Sequence, residues 1–219
     1  MQLRNITLIS TEHKESGKCS SDELHRILET INPDVIFEEE TDDDKFQNYY
    51  ANESSFTSLE IDCIKKYLKN HNIKHIPVDI NSNFNYNELD YMFESFNKYD
   101  VYKEAIKEHC RLRDKEGFYY LNSEKCIELF DKTKAIEKQL IEFSGVKKNI
   151  LLRIYTSFHK EHENRENTML QNILNYSLAN DFNQGVFLLG YAHRKSILEK
   201  IEKFQSNEEI KLNWKFYTD

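Results

Sequence analysis

Two histidines in this chain stand where an apolar, strand-like run gives way to a helix. His13 follows residues 6–10 in MQLRNITLISTEHKE, and His193 follows residues 186–189 in GVFLLGYAHRKSILEKIEKF. Two other strand-like runs end in carboxylates: DVIFEE in Glu38 and Glu39, and IKHIPVDI in Asp79. If these runs lie side by side in a mostly parallel sheet, His13, Glu38 or Glu39, Asp79 and His193 all emerge at its carboxyl edge, where open α/β sheets place ligands. Two imidazoles and one or two carboxylates make a donor set for a divalent metal. The same set could instead supply a histidine base oriented by a carboxylate. A cation joins them from a helix, on which Phe158, His162, Arg165, Met169, Asn172 and Tyr176 share one face at 4-3 spacing. Arg165 lies in the middle of that stripe, and a buried guanidinium needs an anionic or carbonyl partner.

The elements that must position these residues can be read from pattern. Residues 6–10 and 186–189 are short apolar runs, the second bracketed by Gly185 and Gly190, and both suit buried strands. Ser20 and Glu23 have capping-box spacing ahead of Leu24, Ile27, Leu28 and Ile31. Ser196 and Glu199 repeat that spacing, which places a helix start close to His193. Residues 58–69 read as a helix with Leu59, Ile64, Tyr67 and Leu68 inward, and residues 211–217 as a last strand at an edge. Pro77 inside the third strand points to an edge position or a strand starting at Val78. From about residue 83 to 180 the chain is charged, aromatic and nearly free of Gly and Pro, a succession of helices broken at Gly117 and Gly145. Gly190 is one of only five glycines, so its place directly after an apolar strand implies a backbone approach that a side chain would obstruct.

Composition narrows the classes. A net charge of −8 argues against nucleic-acid binding, which needs clustered Lys and Arg. Cys19, Cys63, Cys110 and Cys126 are far apart with no CxxC pair, so they read as buried or incidental thiols. The N-terminal apolar patch is too short for a signal peptide, and no stretch approaches the ~20 apolar residues of a membrane span, which together predict a cytoplasmic chain. Residues 38–44 are acidic but lack the glycine and trailing glutamate of an EF-hand, and Walker A, GxGxxG and GxSxG sequences are absent. His25, His71, His75, His109 and His159 fall on charged helices or loops and are expected at the surface.

The motifs taken together resemble the TraB/GumN/TIKI superfamily, which is related to erythromycin esterase-like and ChaN-like proteins. Gly190-Tyr-Ala-His193 matches the second of that group's two GxxH motifs, and Arg165-Glu166-Asn167-Thr168-Met169-Leu170-Gln171-Asn172-Ile173 is similar to its Arg-containing helix signature. The strand after Pro33 resembles its Pro-to-Glu pattern, which favours Glu39 over Glu38, and Asp79 resembles an Asp ending the next strand. The first motif, Ser10-Thr11-Glu12-His13, has Ser where Gly is usual. The resemblance implies an α/β fold with its site at the sheet's carboxyl edge. It also implies metal-dependent peptide cleavage or ester cleavage, as in some members, or haem binding as in ChaN-like ones.

The expectation is therefore a single domain over residues 1–219. Its fold class is α/β, with a mostly parallel central sheet flanked by helices and a large helical insertion near residues 83–180. The expected function is hydrolysis of a peptide, amide or ester bond in a small-molecule or peptide substrate. His13, Glu39 and His193 are expected to hold Mn, Co or Zn, Arg165 to stabilise oxyanion charge, and Gly190, Asp79 and Glu38 to line the site. The alternative is a non-enzymatic module that binds haem through His13 or His193, or a protein partner or second copy through the helical insertion.

Overall fold

A computed structural model describes residues 3–51, 57–204 and 211–218. Five parallel strands form the sheet: β1 (Leu3–Thr11), β2 (Val35–Thr41), β3 (Lys74–Asp79), β4 (Gln184–Gly190) and β5 (Lys211–Phe216), in the order β3-β2-β4-β1-β5. The class is α/β, as expected. Both faces of the central strands are covered, which explains their unbroken apolar runs. On one face Ile9, Ile36, Val186 and Leu188 pack against α1 (Ser21–Ile31) and α3 (Leu59–Leu68). On the other, Leu8, Phe37, Phe187 and Leu189 pack against α8 (Lys148–Ala179) and α9 (Arg194–Phe204).

Local signals set several boundaries. The Ser20 and Ser58 side chains cap α1 and α3 by accepting from Glu23 N–H and Ile61 N–H. Pro77 lies in β3, at the sheet edge, where a missing N–H is tolerated, and β5 forms the opposite edge. Cys19, Cys63 and Cys126 are buried free thiols. Ser196 departs from expectation: α9 follows a short 3-10 turn over Tyr191–His193 and begins at Arg194, so Ser196 lies inside the helix and its hydroxyl is used elsewhere.

The helical block comprises α4 (Tyr86–Phe96), α5 (Asp100–Glu116), α6 (Phe118–Leu121), α7 (Glu124–Glu142) and α8, with Gly117 and Gly145 at two of its breaks. It has its own core, in which Met92, Phe96, Tyr102, Ile136, Ile154 and Tyr155 meet. Helix α8 joins that core to the sheet. At 32 residues it is roughly 48 Å long. Its first half buries Leu151 and Ile154 in the helical core, and its second half buries Met169 and Ile173 on the sheet. The middle of α8 consequently passes the carboxyl edge, where Arg165 meets residues at the ends of β2 and β3. No described helix is long and apolar enough to cross a membrane.

Candidate active site

Strands β1 and β4 are neighbours, yet β1 leads to α1 on one face of the sheet and β4 to α9 on the other. Such a switch point opens a crevice beyond the strand ends. His193 lies at that crevice, buried at the head of α9.

Three side chains from two elements converge on its ring. From β2, Glu39 brings Oε1 to 3.3 Å from His193 Nε2. From α8, Glu166 brings Oε1 to 2.7 Å from His193 Nδ1. His162, one turn before Glu166, stacks on the His193 ring with centroids 4.5 Å apart and planes at 29°. Glu166 is itself fixed, since its Oε2 accepts from the Ser196 hydroxyl at 2.5 Å and the Lys200 ammonium at 2.7 Å. A carboxylate on Nδ1 sets the tautomer and aim of a histidine, and Nε2 is left facing Glu39.

Glu39 is held as firmly. Its Oε2 accepts from the Gly190 N–H at 2.7 Å, and its Oε1 accepts from Arg165 Nη2 at 2.7 Å. Arg165 also donates from Nε and Nη2 to Asp79 Oδ2, at 2.9 and 2.5 Å. A Cβ on residue 190 would come within 3.1 Å of Glu39 Oε2, which is the physical reason for glycine there. The end of β2 carries one extra residue relative to β3: Glu38 pairs with Pro77, and Thr41 with Asp79. A bulge of this kind re-aims side chains at a strand end.

The charges respond to this packing. Burial pushes the His193 pKa down, but Glu166 and Glu39 more than offset it and raise it to about 9. Burial pushes Glu39 up, and His193 with Arg165 outweighs it, leaving its carboxyl well below the usual range. For Glu166 the same contest ends at about 2, through hydrogen bonds from His193, Lys200 and Ser196. Burial, then the positive charges of His193 and Arg165, lowers His162 to about 3. At neutral pH the cluster therefore sets Glu39 and Glu166 against Arg165 and protonated His193, with His162 neutral.

The remaining expected residues lie at a distance from His193. The His13 side chain is 66% exposed and lies 3.4 Å from Glu60 Oε1 on α3. Among the described residues, no hydrogen bond or ion pair joins it to His193. It shares with Glu38, Glu39, Glu40 and Glu60 a small cavity on the far side of Glu39. Glu38 is engaged on the α3 face, where Oε1 meets His75 Nδ1 at 2.7 Å and the Tyr50 phenol donates to Oε2. Ser10 is buried, and Asn122 after α6 clamps it by accepting from its N–H at 2.8 Å and donating to its carbonyl at 3.0 Å. Arg194 Nη1 reaches Ser10 Oγ at 3.3 Å. The serine in the first motif is thus tied to the residue that follows the second.

Residue patterns did not mark His162 as a donor, and they gave Glu166 no role beyond its place in the helix signature. With His193 they form a group that could hold a metal ion, their donor atoms lying within 4.8 Å of one another. The available signal was His162 and Glu166 at i, i+4, which puts both on one helix face. His109, expected at the surface, is buried, with Nδ1 3.0 Å from the Tyr120 hydroxyl and its ring stacked on Tyr191. No protein-family model, curated protein or solved structure matches the chain.

Proposed function

We propose that this chain is a hydrolase of a peptide, amide or ester bond, dependent on a divalent metal such as Mn, Co or Zn and centred on His193. The observation that carries the reading is a buried imidazole held between two carboxylates at the sheet's switch point, with a large cavity alongside. His162 Nδ1 and His193 Nδ1 lie 3.4 Å apart, and two tetrahedral ligands at usual zinc–nitrogen distances are also separated by ~3.4 Å. Glu166, at 2.7 Å from His193, would open slightly to share an ion. A bound ion would polarise the substrate carbonyl and acidify water.

The chain's own groups suit the remaining work. With an ion on Nδ1, His193 would be a ligand with its Nε2 proton held toward Glu39, so it would position the ion rather than shuttle protons. Arg165 uses Nε and Nη2 on the two carboxylates, and Nη1 has no protein partner among the described residues, so it is available to a developing oxyanion. The sequence-derived metal set of His13, Glu39 and His193 would use the opposite nitrogen of His193. For haem, His193 would have to give up a carboxylate on its ring to serve as a ligand, whereas exposed His13 would be the readier one.

The test is melting and acyl hydrolysis with Mn²⁺, Co²⁺ or Zn²⁺, in the wild type and in His193→Ala, His162→Ala and His13→Ala. Stabilisation by one ion, lost in His193→Ala and His162→Ala but kept in His13→Ala, is expected. Loss in His13→Ala with retention in His162→Ala would move the ion to the Glu39 side. No stabilisation by any of the three ions, with full activity in His193→Ala, would overturn the proposal.

A further inference from the structure

Beside the His193 cluster, a cavity of about 500 Å³ lies between the helical block and the start of α9. Its walls are aromatic: Tyr191, stacked on His109 and edge-on to Phe130, on one side, and Phe158 on the other. At one end it is bounded by Glu166, His162 and Ser196. At the other stands Glu137 of α7, which lines the cavity although its residue is only 8% exposed. Glu137 neighbours Tyr155, eleven residues before Glu166 on α8, so the two carboxyls are separated along that helix by roughly 16 Å.

Glu137 is the unusual wall group. Among the described residues it belongs to no ion pair. Lys134, one turn earlier, also lines the cavity, but its ammonium lies over the Phe130 ring, 4.4 Å from the centroid. Burial raises the Glu137 pKa to about 7, against the opposing effects of Lys134, Tyr155 and Tyr102. A carboxyl poised in this way gains from a cation placed beside its charged form. Around the cavity, Glu163 and Glu199 are exposed acidic groups, so the field favours entry of a cation. A carboxylate among aromatic faces is a recognition chemistry for organic ammonium groups, since ring faces and carboxylate attract the same charge.

We propose that this cavity binds an organic amine, with an apolar or aromatic body between Tyr191 and Phe158 and its ammonium on Glu137. On the hydrolase reading, which this inference rests on, the amine-bearing part of an ester or amide fills the cavity and its carbonyl lies at the Glu166–His193 end. Substrates should then be basic and amphipathic, with the cleaved bond remote from the charge.

The test is calorimetric binding to the full chain of three probes of similar shape: 4-phenylbutylamine, 4-phenylbutan-1-ol and 4-phenylbutanoate. The amine should bind at least about tenfold more tightly than the alcohol, and the carboxylate more weakly than either. Glu137→Gln should bring the amine down to the alcohol's affinity while leaving the alcohol unchanged. No binding by the amine, or an amine preference below about threefold in the wild type, overturns the proposal, as does a preference that survives Glu137→Gln. The wild-type comparison decides by itself if that variant does not fold. Binding needs no turnover, so an amine preference kept in His193→Ala, with hydrolysis absent from every form, would refute the hydrolase reading and leave the amine site standing.

Discussion

Arg165→Met retains most of the side chain's length and removes only its charge and hydrogen bonds. Arg165 is 14% exposed, and its partners Glu39 and Asp79 are 8% and 4% exposed. Two buried carboxylates would therefore lose three hydrogen bonds and a shared cation. Breaking one side of a buried ion pair costs about 3–5 kcal/mol, because the orphaned charge stays desolvated. That range is expected for the loss of unfolding free energy in urea at pH 7. The pH dependence gives a second handle. In the wild type the Glu39 pKa lies below its unfolded value, so its contribution is present above about pH 4.3 and fades as pH falls through the folded value. Without Arg165 the Glu39 carboxyl becomes easier to protonate, although His193 still holds it down, so the deficit should begin to shrink only as pH falls below about 4.3. Arg165→Lys, which keeps the charge but not the fork, should lose less than Met. A deficit below about 1 kcal/mol at pH 7 would refute the view that this guanidinium holds the strand ends together.

Three further outcomes follow from the same contacts. In Glu166→Gln the His193 ring loses the carboxylate on Nδ1, so its pKa should fall from about 9 toward the ordinary value near 6.5, read by NMR from its Cε1–H shift. A folded pKa raised in this way stabilises fully below about pH 6.5 and is lost as pH rises through 9, so the His193 part of the variant's deficit, up to about 3 kcal/mol, should be largest near pH 6 and fade at high pH, leaving the part due to Ser196 and Lys200. Gly190→Ala puts a methyl 3.1 Å from Glu39 Oε2, an oxygen already held by the Gly190 N–H, and a loss of about 1–2 kcal/mol by thermal melting should accompany displacement of Glu39. Asn122→Ala leaves the buried N–H and C=O of Ser10 unsatisfied and Arg194 Nη1 with only the Ser10 hydroxyl, for a loss of about 2–4 kcal/mol in urea.

The frame was legible because its signals are local. A strand buried on both faces must be apolar throughout, and 186–189 could hardly be otherwise. Ser20 and Ser58 cap helices by reaching three residues ahead, and the helical block declares itself by lacking Gly and Pro. Arg165 was legible as well, since a cation in the middle of an apolar stripe needs a partner wherever the helix goes. Ser196 shows where such reasoning stops. Its spacing to Glu199 is that of a cap, but the 3-10 turn through His193 starts the helix earlier, and the hydroxyl turns to a carboxylate thirty residues back on α8. His13 was placed correctly past β1, but the residue it meets, Glu60, lies on a helix whose docking no local pattern announces. The backbone tie between Leu59 N–H and the His13 carbonyl belongs to that docking.

Glu166 was missed for a reason that also bears on mechanism. Beside Arg165 in sequence it resembles a solvent-facing partner of that arginine, yet a residue 100° further round the helix looks toward α9 rather than β2. The two neighbours consequently serve opposite nitrogens of one imidazole: Glu166 faces Nδ1 directly, and Arg165 positions the Glu39 that faces Nε2. In its balanced form the cluster holds a proton on each nitrogen, and a metal ion can enter only as one of them leaves. Metal affinity should therefore rise with pH up to about 9, one proton released per ion, whichever nitrogen is used. The side is then identified by which carboxylate loses its histidine. Entry on Nδ1 frees Glu166 and leaves the Glu39–Arg165–Asp79 chain in place. Entry on Nε2 frees Glu39, and with it the tie between β2 and β4 at Gly190. Metal binding that loosens exchange of the Gly190 amide hydrogen would favour the sequence-derived set, and binding that leaves it protected would favour His162, Glu166 and His193.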